Sequence, residues 1–103
     1  MINTILRLDP PQPATALVVL THGYGADAAD LFDLGHHWKD LLPGAAFIAP
    51  NAPNPCEMNP VGFQWWSLAD GLDPPNNLKR CRSVAPLFSQ MLEDERSRYG
   101  LPY

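Results

Sequence analysis

Apolar and polar positions along the chain fall into alternating extended and helical stretches. In residues 2–8, Ile2, Thr4, Leu6 and Leu8 alternate with Asn3, Ile5 and Arg7 until Asp9-Pro10-Pro11-Gln12-Pro13 stops the pattern, which predicts an edge strand and a stiff loop. Residues 16–21 hold the apolar run Leu17-Val18-Val19-Leu20 and break into His22-Gly23-Tyr24-Gly25. A run of Leu and Val closed by glycines and followed by helical spacing predicts a buried parallel strand. Asp27 stands at an N-cap position and Asp30 at the matching capping-box position, so a helix should begin there. Its apolar residues Leu31, Leu34, Trp38 and Leu41 share one face, and Pro43-Gly44 ends it. Ala45-Ala46-Phe47-Ile48-Ala49 reads as a second short buried strand, closed by Pro50 because proline has no donor for a ladder. Strand, helix and strand in roughly 30 residues make one βαβ unit, for which a right-handed crossover is expected.

Residues 54–75 carry no sustained period and include Pro60, Gly62, Pro74 and Pro75, so they read as a long ordered loop, a kind that is usually functional in a compact domain. Phe63, Trp65, Trp66 and Leu68 are many large apolar side chains for a loop. They either line a pocket for an apolar substrate or pin the loop to the core. From Asn76 to Tyr99 the spacing of Leu78, Cys81, Ala85, Phe88, Leu92 and Tyr99 predicts a helix face, with Pro86 marking a bend or a late start. Gly100-Leu101-Pro102 ends that helix.

Composition narrows the class. With 46% hydrophobic and 17% charged residues the 103-residue chain is too apolar to be disordered, and its length allows one domain at most. A net charge of -4 with no Lys/Arg cluster gives no footprint for nucleic acid or an anionic membrane surface. The first residues lack the basic start and apolar core of a signal peptide, and no apolar run approaches a membrane span, so a cytoplasmic location without membrane insertion is expected. Cys56 and Cys81 are too far apart for a redox pair or zinc ribbon and are read as free thiols.

The chemistry centres on the glycine turn after the first parallel strand. Ligands in open α/β sheets bind at the carboxyl ends of the strands. Gly23 and Gly25 let the backbone turn sharply and approach a ligand, leaving the Tyr24 amide to donate outward, which is half of an oxyanion hole. Taken alone, the same stretch also suits a Gly-rich turn of a mononucleotide-binding or plain α/β domain.

Four blocks together are more specific: Leu20-Thr21-His22-Gly23-Tyr24-Gly25-Ala26-Asp27, then Asp30-Leu31, then Ala49-Pro50-Asn51-Ala52-Pro53, then Gln64-Trp65-Trp66-Ser67-Leu68. In this order and spacing the chain resembles the amino-terminal half of the phospholipase/carboxylesterase family of α/β-hydrolases, which includes bacterial carboxylesterases and acyl-protein thioesterases. The resemblance covers residues from about 16 to 103. It implies an α/β fold, the amino-terminal half of an α/β-hydrolase, with a mostly parallel sheet and flanking helices. Residues 1–103 would then be a partial domain that lacks the nucleophile strand and everything after it.

The implied activity is that of a serine carboxylesterase or lysophospholipase-type hydrolase, cleaving esters or thioesters of apolar acyl groups with a Ser, His and Asp triad and neither metal nor cofactor. What carries over is the backbone amide of Tyr24, between Gly23 and Gly25, as oxyanion donor. Trp65 and Trp66, with Phe63 beside them, carry over as the acyl-pocket wall. His22 matches the family's structural histidine, and His36 and His37 are expected to be solvated. Ser67, Ser83, Ser89 and Ser97 all lack the flanking glycines of G-x-S-x-G, so the 103 residues alone are expected to be inactive. In the family's sheet the strand at 16–21 is central, and without the nucleophile strand its free edge calls for a partner, either a missing carboxyl-terminal half or a second copy.

Two other functions stay open on the residues. One is a non-catalytic half-domain that binds an acyl or apolar ligand and pairs with another chain. The other is a metal site from His22, His36, His37 and Cys56, which has suitable atoms without ligand spacing.

Overall fold

The computed structural model describes residues 2–69 and 74–102. Seven elements follow one another: β1 (Ile5–Leu8), β2 (Ala16–Val19), α1 (Ala28–Trp38), β3 (Ala45–Pro50), β4 (Asn54–Pro55), β5 (Phe63–Gln64) and α2 (Pro74–Arg98). The expected βαβ unit is β2, α1 and β3, whose strands pair in parallel from Ala16 opposite Ala45 to Val19 opposite Ile48. On its other side β3 pairs antiparallel with β1, from Ile5 opposite Pro50 to Leu8 opposite Phe47.

The order β1-β3-β2 places β3 in the middle and leaves β2 at an edge of the described sheet. That edge agrees with the free edge expected for residues 16–21 without the nucleophile strand, while the expectation that this run is buried is corrected. All six residues of β3 are buried because it has a neighbour on each side, whereas Leu17, Val18 and Val19 are only half-buried. Pro50 is a member of β3 rather than its stop, fully buried opposite Ile5.

Strand alternation sends Ala45, Phe47 and Ala49 to one face. There they form a cluster with Leu20 and Ala28, against which Leu6, Leu8, Val18, Leu31, Phe32 and Leu34 pack. Gly35 lets α1 lie this close, since a Cβ there would sit 3.1 Å from the Phe47 Cβ. The helix stops at Trp38, and a turn carries the chain to Pro43-Gly44, so Trp38 and Leu41 are exposed rather than part of the buried face.

The opposite face carries α2. Its buried residues are Met91 and Glu95, with Phe88 and Val84 half-buried one and two turns earlier. Leu78, Cys81 and Ala85, expected on that face, are exposed. The face is rotated because a charge sits in it: Glu95 is 1% exposed and accepts from Arg7 Nε of β1 at 2.6 Å and from Arg98 Nε at 3.1 Å. A buried carboxylate is tolerable when it is paired in this way. The helix begins at Pro74, where a proline loses nothing because the first N–H groups of a helix are unpaired anyway. It also runs through Pro86 without ending. Both cysteines are free thiols, Cys56 buried and Cys81 exposed. No helix among the described residues is long and apolar enough to cross a membrane.

Candidate active site

The carboxyl end of β2 opens into the turn His22-Gly23-Tyr24-Gly25, and three neighbouring segments hold it. His22 is buried, with Nδ1 2.7 Å from the Gly23 carbonyl and Nε2 accepting the Ala52 N–H at 3.0 Å. Those two contacts define the tautomer: Nδ1 carries the proton and Nε2 is bare. The imidazole is therefore engaged on both sides in tying the turn to the loop after β3, in keeping with a structural histidine. The Trp65 ring stacks on it at 5.4 Å and donates its indole N–H to the His22 carbonyl at 2.9 Å. Phe88 of α2 meets Trp65 edge-on at 5.8 Å.

The second support is the hairpin of β4 and β5, which the aperiodic loop sequence did not announce. Gly25 N–H donates to the Phe63 carbonyl at 2.9 Å, and Phe63 N–H returns a bond to the Ala26 carbonyl at 2.8 Å. Asn59 Nδ2 donates to the Gly25 carbonyl at 2.8 Å. The two backbones approach so closely at Gly62 that a Cβ there would lie 2.1 Å from the Gly25 oxygen. Gly25 itself has φ +80, in the region that favours glycine. Gly23 does not take a positive φ, and nothing lies within 4 Å of where its Cβ would be. The sharp turn thus needs Gly25, while Gly23 faces open space.

The third support is the amino terminus of α1. Asp27 and Asp30 form the expected capping box, with Asp30 N–H to Asp27 Oδ1 at 3.0 Å and Asp27 N–H to Asp30 Oδ2 at 3.2 Å. Asn51 Oδ1 accepts the Ala28 N–H at 2.7 Å, a second cap supplied from the loop after β3. With Gly25 bound to Phe63 and Ala26 bound to Gly23, the Tyr24 N–H meets no acceptor among the described residues.

The side chain of Tyr24 leans over the site and donates to Glu57 Oε2 at 2.6 Å. Glu57 also accepts the Ser67 hydroxyl at 2.5 Å and the Leu68 N–H at 2.9 Å. These bonds, Ser67's first and Tyr24's next, hold the Glu57 carboxyl below the ordinary glutamate range. The same carboxylate pushes the Tyr24 phenol above the ordinary tyrosine value.

Trp65 and Trp66, with Tyr24 and Leu68, line a depression of about 170 Å³. A second, of about 360 Å³, is lined by Tyr24, Glu57, Met58, Leu68 and Ala69. Phe63 lines neither, and its backbone braces the turn instead. His36 and His37 are exposed, His36 edge-on to Phe32. Among the described residues no His, Cys, Asp and Glu side chains gather as a metal site, and His22 has both nitrogens engaged.

The residues that sequence reasoning passed over are Glu57 and Asn59, and Gly62 was read only as a loop residue. Glu57 did carry a signal, being the lone charged residue between Asp40 and Asp70.

The sequence profile of the phospholipase/carboxylesterase family matches residues 7–99. The chain belongs to that family. It is similar to esterase YpfH of Escherichia coli (strain K12), with 27% identity over 92 residues that make up 89% of this chain and 39% of that protein. It is also similar to the crystal structure of esterase PE8, with a TM-score of 0.84, 38% identity, and coverage of 93% of this chain and 46% of that one. The architecture is accordingly that of a partial α/β-hydrolase fold. This member of the phospholipase/carboxylesterase family spans less than half the length of both relatives.

Proposed function

We propose that these residues supply the oxyanion turn and the acyl-pocket wall of a serine carboxylesterase or lysophospholipase-type hydrolase acting on esters or thioesters of apolar acyl groups. The observation that carries this reading is the Gly23-Tyr24-Gly25 turn. It is braced on three sides, its Tyr24 N–H is left without an acceptor among the described residues, and it lies beside a depression walled by Trp65 and Trp66. Membership of an esterase family supports it.

In the reaction a serine from outside these residues attacks the acyl carbonyl and a histidine takes its proton. The Tyr24 amide then donates to the oxygen that becomes negative in the tetrahedral intermediate. One such donor is worth ~2.7–4 kcal/mol of barrier. The serines within the chain do not fit the nucleophile's part. Ser67 gives its hydroxyl to Glu57 and Ser83 gives its own to the Arg80 carbonyl, so neither leans on a histidine.

That same observation favours a second reading, a half-domain that binds acyl groups without chemistry. Hydrolysis of p-nitrophenyl butyrate separates the two. The protein carrying these residues at its native length should turn the ester over, and the isolated 103-residue chain should not. Binding without turnover at native length would leave the second reading standing and remove the first.

A further inference from the structure

The two depressions beside the oxyanion turn share two walls, the Tyr24 side chain and Leu68. A single carboxylate oxygen holds both. Glu57 Oε2 accepts the Tyr24 hydroxyl at 2.6 Å and the Leu68 N–H at 2.9 Å, while Oε1 accepts the Ser67 hydroxyl at 2.5 Å. The Glu57 backbone is itself fixed, its N–H donating to Gln64 Oε1 in β5 at 3.1 Å. We infer that Glu57 is a positioning residue that fixes the wall between the two depressions through Tyr24 and Leu68, and thereby limits the site to short acyl chains. The inference rests on the esterase reading above.

The chemistry on the two sides differs. The smaller depression is lined by Trp65, Trp66 and the ring of Tyr24 and suits an alkyl chain. The larger one carries the Glu57 carboxylate on its rim and suits the alcohol or thiol portion of the substrate. Tyr24 is 38% exposed, and its hydroxyl donates to Glu57. Once released, its ring can take another rotamer. The wall then opens, the two depressions join and longer chains fit. All three bonds are strengthened by an ionised acceptor, since charge-assisted bonds are the stronger class. Glutamine keeps the shape of Glu57 but presents N–H donors where a second carboxylate oxygen stood.

The test uses the native-length protein, with kcat and KM measured on p-nitrophenyl butyrate and p-nitrophenyl decanoate for wild type, Glu57→Gln, Tyr24→Phe and the double variant. Tyr24→Phe keeps the backbone amide and hence the oxyanion donor. The decanoate to butyrate ratio of kcat/KM should rise roughly tenfold in each single variant, the scale on which apolar pockets discriminate by methylenes. The rise should come through a lower KM for decanoate. The double variant should add nothing, because both changes break one contact.

A fall on both esters in proportion, or additive effects, would overturn the inference. Wild-type protein with no turnover would remove the esterase reading and the chain-length selection with it. The latch itself is then decided by titrating the Tyr24 phenol with a carbon-13 label. The phenol should move down toward the ordinary tyrosine value in Glu57→Gln, and an unmoved signal would show that the carboxylate does not hold it.

Discussion

Gly62 and Gly23 make opposite predictions. A Cβ at Gly62 would lie 2.1 Å from the Gly25 carbonyl oxygen, a backbone atom that cannot move without unseating the turn. Gly62→Ala should therefore destabilise the fold by at least the ~1–3 kcal/mol typical of overpacking. At Gly23 nothing lies within 4 Å and φ is not positive, so Gly23→Ala should leave the urea midpoint unchanged. On the esterase reading it should still lower kcat/KM, because it adds a methyl group on the residue just before the Tyr24 amide. Equal unfolding midpoints for wild type and Gly62→Ala would contradict the close approach at that turn.

His22 illustrates what a sequence can say about one residue. Its match to the histidine of the family's motif implied a structural role, and both ring nitrogens are spent on backbone groups. Glu57 illustrates the converse, since its partners Tyr24, Ser67 and Leu68 lie up to 33 positions away and no local pattern joins them.

Among the elements, α1 depends most on groups outside itself. Asp27 caps it from its own sequence and Asn51 caps it from the loop after β3. Replacing a cap residue by alanine costs ~1 kcal/mol. Asp27→Ala and Asn51→Ala should each lower stability by about that amount in thermal unfolding. Asn51→Ala should in addition loosen the glycine turn, because its neighbour Ala52 holds His22. Wild-type stability in both variants would show that the caps are redundant.

The capping box, the βαβ order and the buried run Ala45-Ala46-Phe47-Ile48-Ala49 were legible because they rest on neighbours in sequence. The hairpin of β4 and β5 was not. Its strands are two residues each, too short to establish a period, and its partner is the glycine turn rather than another strand of the main sheet. The rotation of α2 was hidden for a different reason. Apolarity alone ranks Leu78, Cys81 and Ala85 above Glu95, and Arg7 on a distant strand, with Arg98, makes Glu95 a residue to bury.

At the scale of the molecule, β2 uses one edge on β3, and among the described strands its other edge has no partner. Leu17, Val18 and Val19 are half-buried there. An unpaired apolar edge of this kind templates pairing with other chains. The isolated 103-residue chain should therefore associate with concentration in sedimentation velocity, and a monomeric species that unfolds cooperatively would contradict this. Whether the edge meets a second copy or the remainder of a longer protein bears on function, because in the esterase reading the nucleophile comes from outside residues 1–103.

That reading is tested most directly by labelling the native-length protein with a fluorophosphonate and locating the adduct by peptide mass spectrometry. The account predicts a single modified serine within a G-x-S-x-G turn outside residues 1–103, and no label on the isolated chain. An adduct on Ser67, Ser83, Ser89 or Ser97, or no adduct at native length, would contradict it.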